Sequence, residues 1–168
     1  QNTITIDAST EGISTGGADL ILLAPLNISN GGVTSTGGIV SLSGGGQLSG
    51  TGRLDVSGGN WILGGDFVKS SGTLTQTNLL LAGSSITLTS DEGLSFVNLN
   101  LNDYALTLGS STSDLTVQNT ITIDASTEGI STGEADLILD ASLNISNGGV
   151  TSTGGIVSLS GGGQLSGT

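Results

Sequence analysis

The sequence predicts an all-β solenoid, a coil of short strands stacked rung upon rung, and three observations predict it. The first is self-similarity. Residues 1–51 and 118–168 match at a displacement of 117, and only Gly17/Glu134, Leu23/Asp140 and Pro25/Ser142 differ across those 51 positions. A catalytic domain has no reason to restart itself, whereas an array of stacked units does. The second is strict apolar–polar alternation in short runs, among them T-I-T-I-D at 3–7, L-N-I-S at 26–29, V-S-L-S at 40–43, I-T-L-T at 86–89 and V-N-L-N-L at 97–101. Period two is the pattern of a strand with one face in a core. The third is punctuation by glycine: S-N-G-G (29–32), S-T-G-G (35–38), S-G-G-G (43–46) and S-G-G-N (57–60) divide those runs. No stretch carries apolar residues at helical spacing.

Each element follows in order. A sandwich or barrel wants longer strands, more rings and hairpin turns. Asn30-Gly31 and Asn147-Gly148 offer such turns, but the runs around them are too short to pair as hairpins. Dividing 117 by six gives rungs of about 19.5 residues, so the chain holds eight to nine rungs of roughly 19–20 residues. At about 4.8 Å between strands the coil would be about 40 Å long. Residues 1–168 then form one solenoid segment, with 1–117 a full repeat unit and 118–168 the start of the next. The inward set includes Leu22, Ile28, Leu42, Val56 and Leu63.

The three differences test which way side chains point. An unpaired Asp140 would be costly in an aliphatic interior. Leu23 and Asp140 therefore face outward, which turns Leu20, Leu22, Leu137 and Leu139 inward by alternation. Pro25 falls just past the strand, where losing a ladder donor does least harm.

Composition supports the same picture. Apolar residues make up 35% of the chain but aromatics only 2%, so the core is aliphatic and thin. The hydrophobicity is too high and too patterned for a disordered linker. Net charge is −12, and Arg53 and Lys69 are the only basic side chains. Phosphate backbones and anionic lipid surfaces are both bound through Lys and Arg, so no nucleic-acid partner is expected and anionic lipid surfaces are disfavoured. No apolar run approaches the roughly 18 residues of a membrane span, so no membrane insertion is expected. No charged, apolar leader is written at the start.

The stretch I-S-T-G-G-A-D-L-I-L at 13–22, followed by L-N-I-S-N-G-G-V-T-S-T-G-G-I-V-S-L-S-G-G-G at 26–46, resembles the repeats of filamentous-haemagglutinin-type proteins. S-G-G-G-Q-L-S-G-T-G-R-L-D-V-S-G-G-N-W at 43–61 is similar to autotransporter-associated repeats. The resemblance covers most of the chain, more weakly at 66–112. It implies a right-handed parallel β-helix, secretion across a Gram-negative outer membrane, and an adhesive or surface-layer role.

Parallel β-helices also carry polysaccharide lyases and hydrolases, so catalysis must be weighed. Such enzymes need paired carboxylates within roughly 5–9.5 Å. Here the acids are dispersed, from Asp7, Glu11 and Asp19 to Asp103 and Asp114, although stacking could bring Asp7 above Asp19. With neither His nor Cys in the sequence, nucleophilic triads are excluded. Gly16-Gly17-Ala18-Asp19 and Gly64-Gly65-Asp66 are fragments of the calcium β-roll pattern without its full form. Threonine pairs such as Thr3/Thr5 and Thr87/Thr89 suggest an ice-binding face, but they do not recur once per rung. Asn98, Asn100 and Asn102 alternate with Leu99 and Leu101 on one outward face, a candidate strip for contact with glycans.

The expectation is a non-enzymatic, structural or adhesive segment of a large exoprotein on a Gram-negative cell surface, with no cofactor. Its partners would be neighbouring repeats of the same chain and the glycans or proteins of another cell. End-to-end self-association is expected of the fragment, with Gln1–Thr5 and Gly161–Thr168 frayed or packed on a neighbour.

Overall fold

The structure, a computed structural model, describes residues 2–8, 12–124, 129–140 and 142–165. Among them the regular structure is entirely strand, and every strand pairing is parallel. The strands lie in eight layers. The first holds β1 (Ile4–Asp7), β2 (Ile13–Gly16) and β3 (Leu20–Leu22); the second holds β4 (Leu26–Asn30), β5 (Gly32–Ser35) and β6 (Ile39–Leu42). In the next four layers the second and third strands fuse into one long bent strand. These are β7 (Gly46–Leu48) with β8 (Arg53–Leu63), β9 (Phe67–Lys69) with β10 (Thr73–Leu81), β11 (Ile86–Ser90) with β12 (Leu94–Asn100), and β13 (Leu106–Leu108) with β14 (Asp114–Asp124). The seventh layer is split again into β15 (Ile130–Gly133), β16 (Asp136–Leu139) and β17 (Ser142–Asn147). The eighth is β18 (Val150–Ser152), β19 (Val157–Leu159) and β20 (Gly163–Leu165).

Three faces result. Face one is an eight-stranded sheet in the order β1-β4-β7-β9-β11-β13-β15-β18. Faces two and three are joined by the long strands into a twelve-stranded sheet that bends at register shifts, such as those between Gln76 and Asn78 and between Phe96 and Asn98. The coil closes about seven turns.

The expected rung length requires correction. Ladder partners are separated by 20 residues at Leu26↔Gly46, 21 at Gly46↔Phe67 and 22 at Ile4↔Leu26, with 24 at Leu106↔Ile130. The reason is that 117 residues do not make a whole number of turns. Ile4 stands on face one of the first layer, and its counterpart Ile121 stands on face three of the sixth. Ile13 on face two of the first layer becomes Ile130 on face one of the seventh. Leu20 on face three becomes Leu137 on face two of the seventh. Each comparison advances five layers and two of three faces. The repeat therefore spans five and two-thirds turns, and the second copy is rotated by a third of a turn against the first.

Packing follows from the alternation. Inward residues stack into apolar columns such as Leu20, Val40, Trp61, Leu79, Leu99, Ile121 and Leu143, each against the next. Of the expected core residues, Ile28, Leu42, Val56 and Leu63 are fully buried, while Leu22 is half-buried in the first layer. Leu23 and Asp140 are both exposed, and Leu137 and Leu139 are buried, as the copy differences required. The two rings at the centre, Trp61 and Phe67, meet edge to face at 5.0 Å. Corners are made by small residues for a steric reason. A Cβ on Gly45 (φ +69) would lie 2.1 Å from the Asp66 carbonyl oxygen of the next layer.

Candidate functional site

The asparagine strip divides on inspection of its neighbours. Asn98 belongs to a ladder that runs along the bend between faces two and three. Its Nδ2 donates to Asn78 Oδ1 at 2.7 Å, Asn78 donates to Asn60 at 3.0 Å, and Asn119 donates to Asn98 at 2.9 Å. Each amide thus serves its neighbours above and below, and the ladder holds four layers in register. Asn100 is exposed on the same side of β12. Asn102 has left the strand and turns the corner at φ 49°, the left-handed region, with its Nδ2 donating to the Leu81 carbonyl at 2.6 Å. Asn100 Oδ1 accepts from the Asn102 backbone N–H at 3.0 Å, and Tyr104 N–H closes the turn on the Leu101 carbonyl at 3.0 Å.

That corner differs from its neighbours. The corners at 43–45 and 64–66 are serine, glycine and aspartate packed tightly against one another. Residues 101–105 instead read L-N-D-Y-A and contain the only tyrosine of the sequence. The larger turn opens a groove of about 540 Å³, lined by Ala82, Asn100, Asn102, Asp103, Tyr104, Thr122 and Asp124. Tyr104 is half-buried, its ring packed against the core cluster. Sequence reasoning found Asn100 and Asn102 but missed Tyr104, Asp103 and the second-copy residues Thr122 and Asp124. The available signal was a lone aromatic at a corner, where the corners at 43–45 and 64–66 carry only serine, glycine and aspartate.

Five carboxylates, Asp7, Asp19, Asp66, Asp124 and Asp136, are engaged by side-chain or backbone donors of a neighbouring layer. Asp7 Oδ1 accepts from Ser29 Oγ at 2.9 Å and Asn30 Nδ2 at 2.7 Å. Those bonds, Asn30 foremost, hold the Asp7 carboxyl below its ordinary pKa. Asp124 is bound the same way by Ser146 and Asn147 and is lowered likewise. Asp19 accepts from the Ile39 N–H at 2.8 Å and Asp66 from the Thr87 N–H at 2.6 Å. Asp7 ends a strand of face one and Asp19 precedes a strand of face three, each with its own partners, and they form no stacked pair. Glu11 and Glu128 lie outside the described residues.

The two basic residues are both paired. Arg53 bonds Asp55 on the same strand. Lys69 occupies an inward position in line with Leu48, and its Nζ reaches Asp91 at 2.5 Å and Glu92 at 2.9 Å. Burial pulls the Lys69 pKa down, but the two carboxylates outweigh it and the net shift is upward. Among the described residues no three His, Cys, Asp or Glu side chains gather as a metal site.

These features define a parallel β-solenoid built from a tandem repeat, carrying among the described residues a polar groove with an aromatic wall. Comparisons with protein-family models, with curated proteins and with solved structures found no match.

Proposed function

We propose that this chain is a non-enzymatic structural and adhesive segment of a large secreted bacterial surface protein, similar in kind to the filamentous-haemagglutinin type. The observation that carries the reading is the junction between copies. The strand β14 contains both the last residues of the first unit and the first of the second, and it pairs with β12 on one side and with β16 and β17 on the other, the ladder resuming at Thr120 after a register shift at the junction. Repetition thus adds length at constant cross-section, which suits a stalk or filament holding a contact surface away from a cell. The bonding of the carboxylates to neighbouring layers favours a scaffold over catalysis. Thr87 stacks on Thr107, but Thr75, Thr5 and Thr89 stack on Asp55, Asn27 and Val68, and so broken a threonine column disfavours an ice-binding array.

The test is geometric. Proteins carrying one, two and three units should be rods whose length grows by about 27 Å per unit, from five and two-thirds turns at about 4.8 Å each. Small-angle scattering and negative-stain microscopy measure this directly. Beads on a flexible string, or compact particles, would overturn the stalk reading.

A further inference from the structure

Resting on the adhesive reading above, we infer that the groove at the 101–105 corner is a binding site for a neutral pyranose oligosaccharide. Three features carry the assignment. The wall is a half-buried tyrosine, Tyr104, held against the core, and a fixed ring offers its face to the C–H surface of a sugar at little cost in conformational freedom. The remaining lining is amide, carboxyl and hydroxyl: Asn100, Asn102, Asp103, Thr122 and Asp124. Planar amides and carboxylates pair with vicinal hydroxyls, donating and accepting side by side. The 101–105 side of the frame is held by the chain's own bonds before any ligand arrives, because Asn102 is tied to Leu81 and Asn100 and the turn is closed by the Tyr104 N–H. Preorganisation of this kind lowers the ordering cost of binding.

Charge selects among saccharides. Two carboxylates line the groove and the chain carries −12 overall, so sulfated, phosphorylated and uronate polymers are repelled. The groove also straddles the copy boundary. Asn100, Asp103 and Tyr104 belong to the unique middle of one unit, and Thr122 and Asp124 to the start of the next. In a tandem array the site recurs at each junction, about 27 Å further along and a third of a turn around. Successive sites then point to three sides of the rod, a geometry for multivalent capture of weakly held glycans.

The experiment titrates the 168-residue chain, labelled for amide NMR, with cellotetraose, with the N-acetylglucosamine tetramer and with a heparin-derived tetrasaccharide. The expected result is saturable shifts at Asn100, Asp103, Tyr104 and Thr122 with at least one neutral tetramer, at millimolar affinity or better, and none with the heparin fragment. Tyr104→Ala should weaken binding at least about tenfold, as expected for loss of a stacking anchor, and Tyr104→Phe should retain it within about threefold. The emission of Trp61, fully buried in the core and outside the groove lining, reports whether each variant is folded. Absence of shifts with both neutral tetramers, equal binding of heparin, or undiminished binding by a folded Tyr104→Ala chain would each overturn the site. None of these outcomes alters the rod lengths that test the stalk reading, so the two can fail separately.

Discussion

The two copies of the repeat form an internal experiment: nearly one sequence, folded twice in one molecule at two rotational settings. Locally they are the same. Gly16 and Gly133 turn at φ 59° and 60°, and Asp19 and Asp136 each accept the backbone N–H of the isoleucine 20 residues on, both at 2.8 Å. Ser35 and Ser152 each donate to the glycine carbonyl three residues later. Yet Asp19 makes its bond beside face three and Asp136 beside face two. The repeat encodes a facet, a strand of about seven residues with its corner, and any of the three faces accepts it.

Burial differs where local structure does not. Val40 and Leu42 are fully buried under β8, while their counterparts Val157 and Leu159 are 41% and 48% exposed in the last layer. At the other end the relation reverses: Ile4, Leu20 and Leu22 are half-buried, whereas Ile121, Leu137 and Leu139 are fully covered. An inward-pointing residue is thus only as buried as the layers on both sides make it. Solenoid stability is a sum over neighbouring layers, and the comparison shows that sum residue by residue.

The sharpest way to break the comparison is to truncate the same leucine in both copies. Leu42→Ala should cost about 2–5 kcal/mol, the range for a fully packed core leucine. Leu159→Ala should cost less than about 1 kcal/mol, since little contact is lost. Urea unfolding followed by Trp61 emission measures both, and equal costs would show that burial is not what separates the copies. Appending a copy of residues 52–81 after Thr168 should bring the Leu159→Ala cost up to that of Leu42→Ala.

A smaller effect is expected in the unique middle. Asn78→Ala removes a bond given to Asn60 and a bond received from Asn98, at about 0.5–1.5 kcal/mol each. Asn100, outside the ladder, gives up only the one exposed bond it accepts from the Asn102 N–H, so alanine there should cost no more than about 1 kcal/mol and less than at Asn78. Similar costs at the two positions would remove the ladder as a register device.

Acid should treat the copies alike. Asp7 and Asp124 have folded pKa values lowered by equivalent serine and asparagine donors. A lowered folded value adds stability that is present above the unfolded value of about 3.9 and is lost as pH falls through the folded value. Carbon-detected NMR titration should therefore show both carboxyls titrating below their ordinary range. Lys69 runs the opposite way: its raised value makes its contribution fade only as pH rises beyond about 10.4. The smallest effect belongs to the copy differences themselves. Leu23→Asp and Asp140→Leu should each change stability by no more than about 0.5 kcal/mol, because both positions face solvent.

The sequence by itself determined the strand pattern, the inward and outward sets, and the solvent-facing side of Leu23 and Asp140. It could do so because alternation and copy differences are properties of single strands, set by the pleat and by the cost of burying charge. It also supplied Asn100 and Asn102, since outward asparagines alternate visibly with leucines. Only the tertiary structure decided the pitch. Rung length depends on how each corner packs on the corner beneath, so a period of 117 admitted six whole turns or five and two-thirds, and stacking chose the latter. For the same reason the groove was invisible in the chain. Tyr104 and Asp124 lie 20 positions apart in sequence and line one groove because a single turn of the coil separates them.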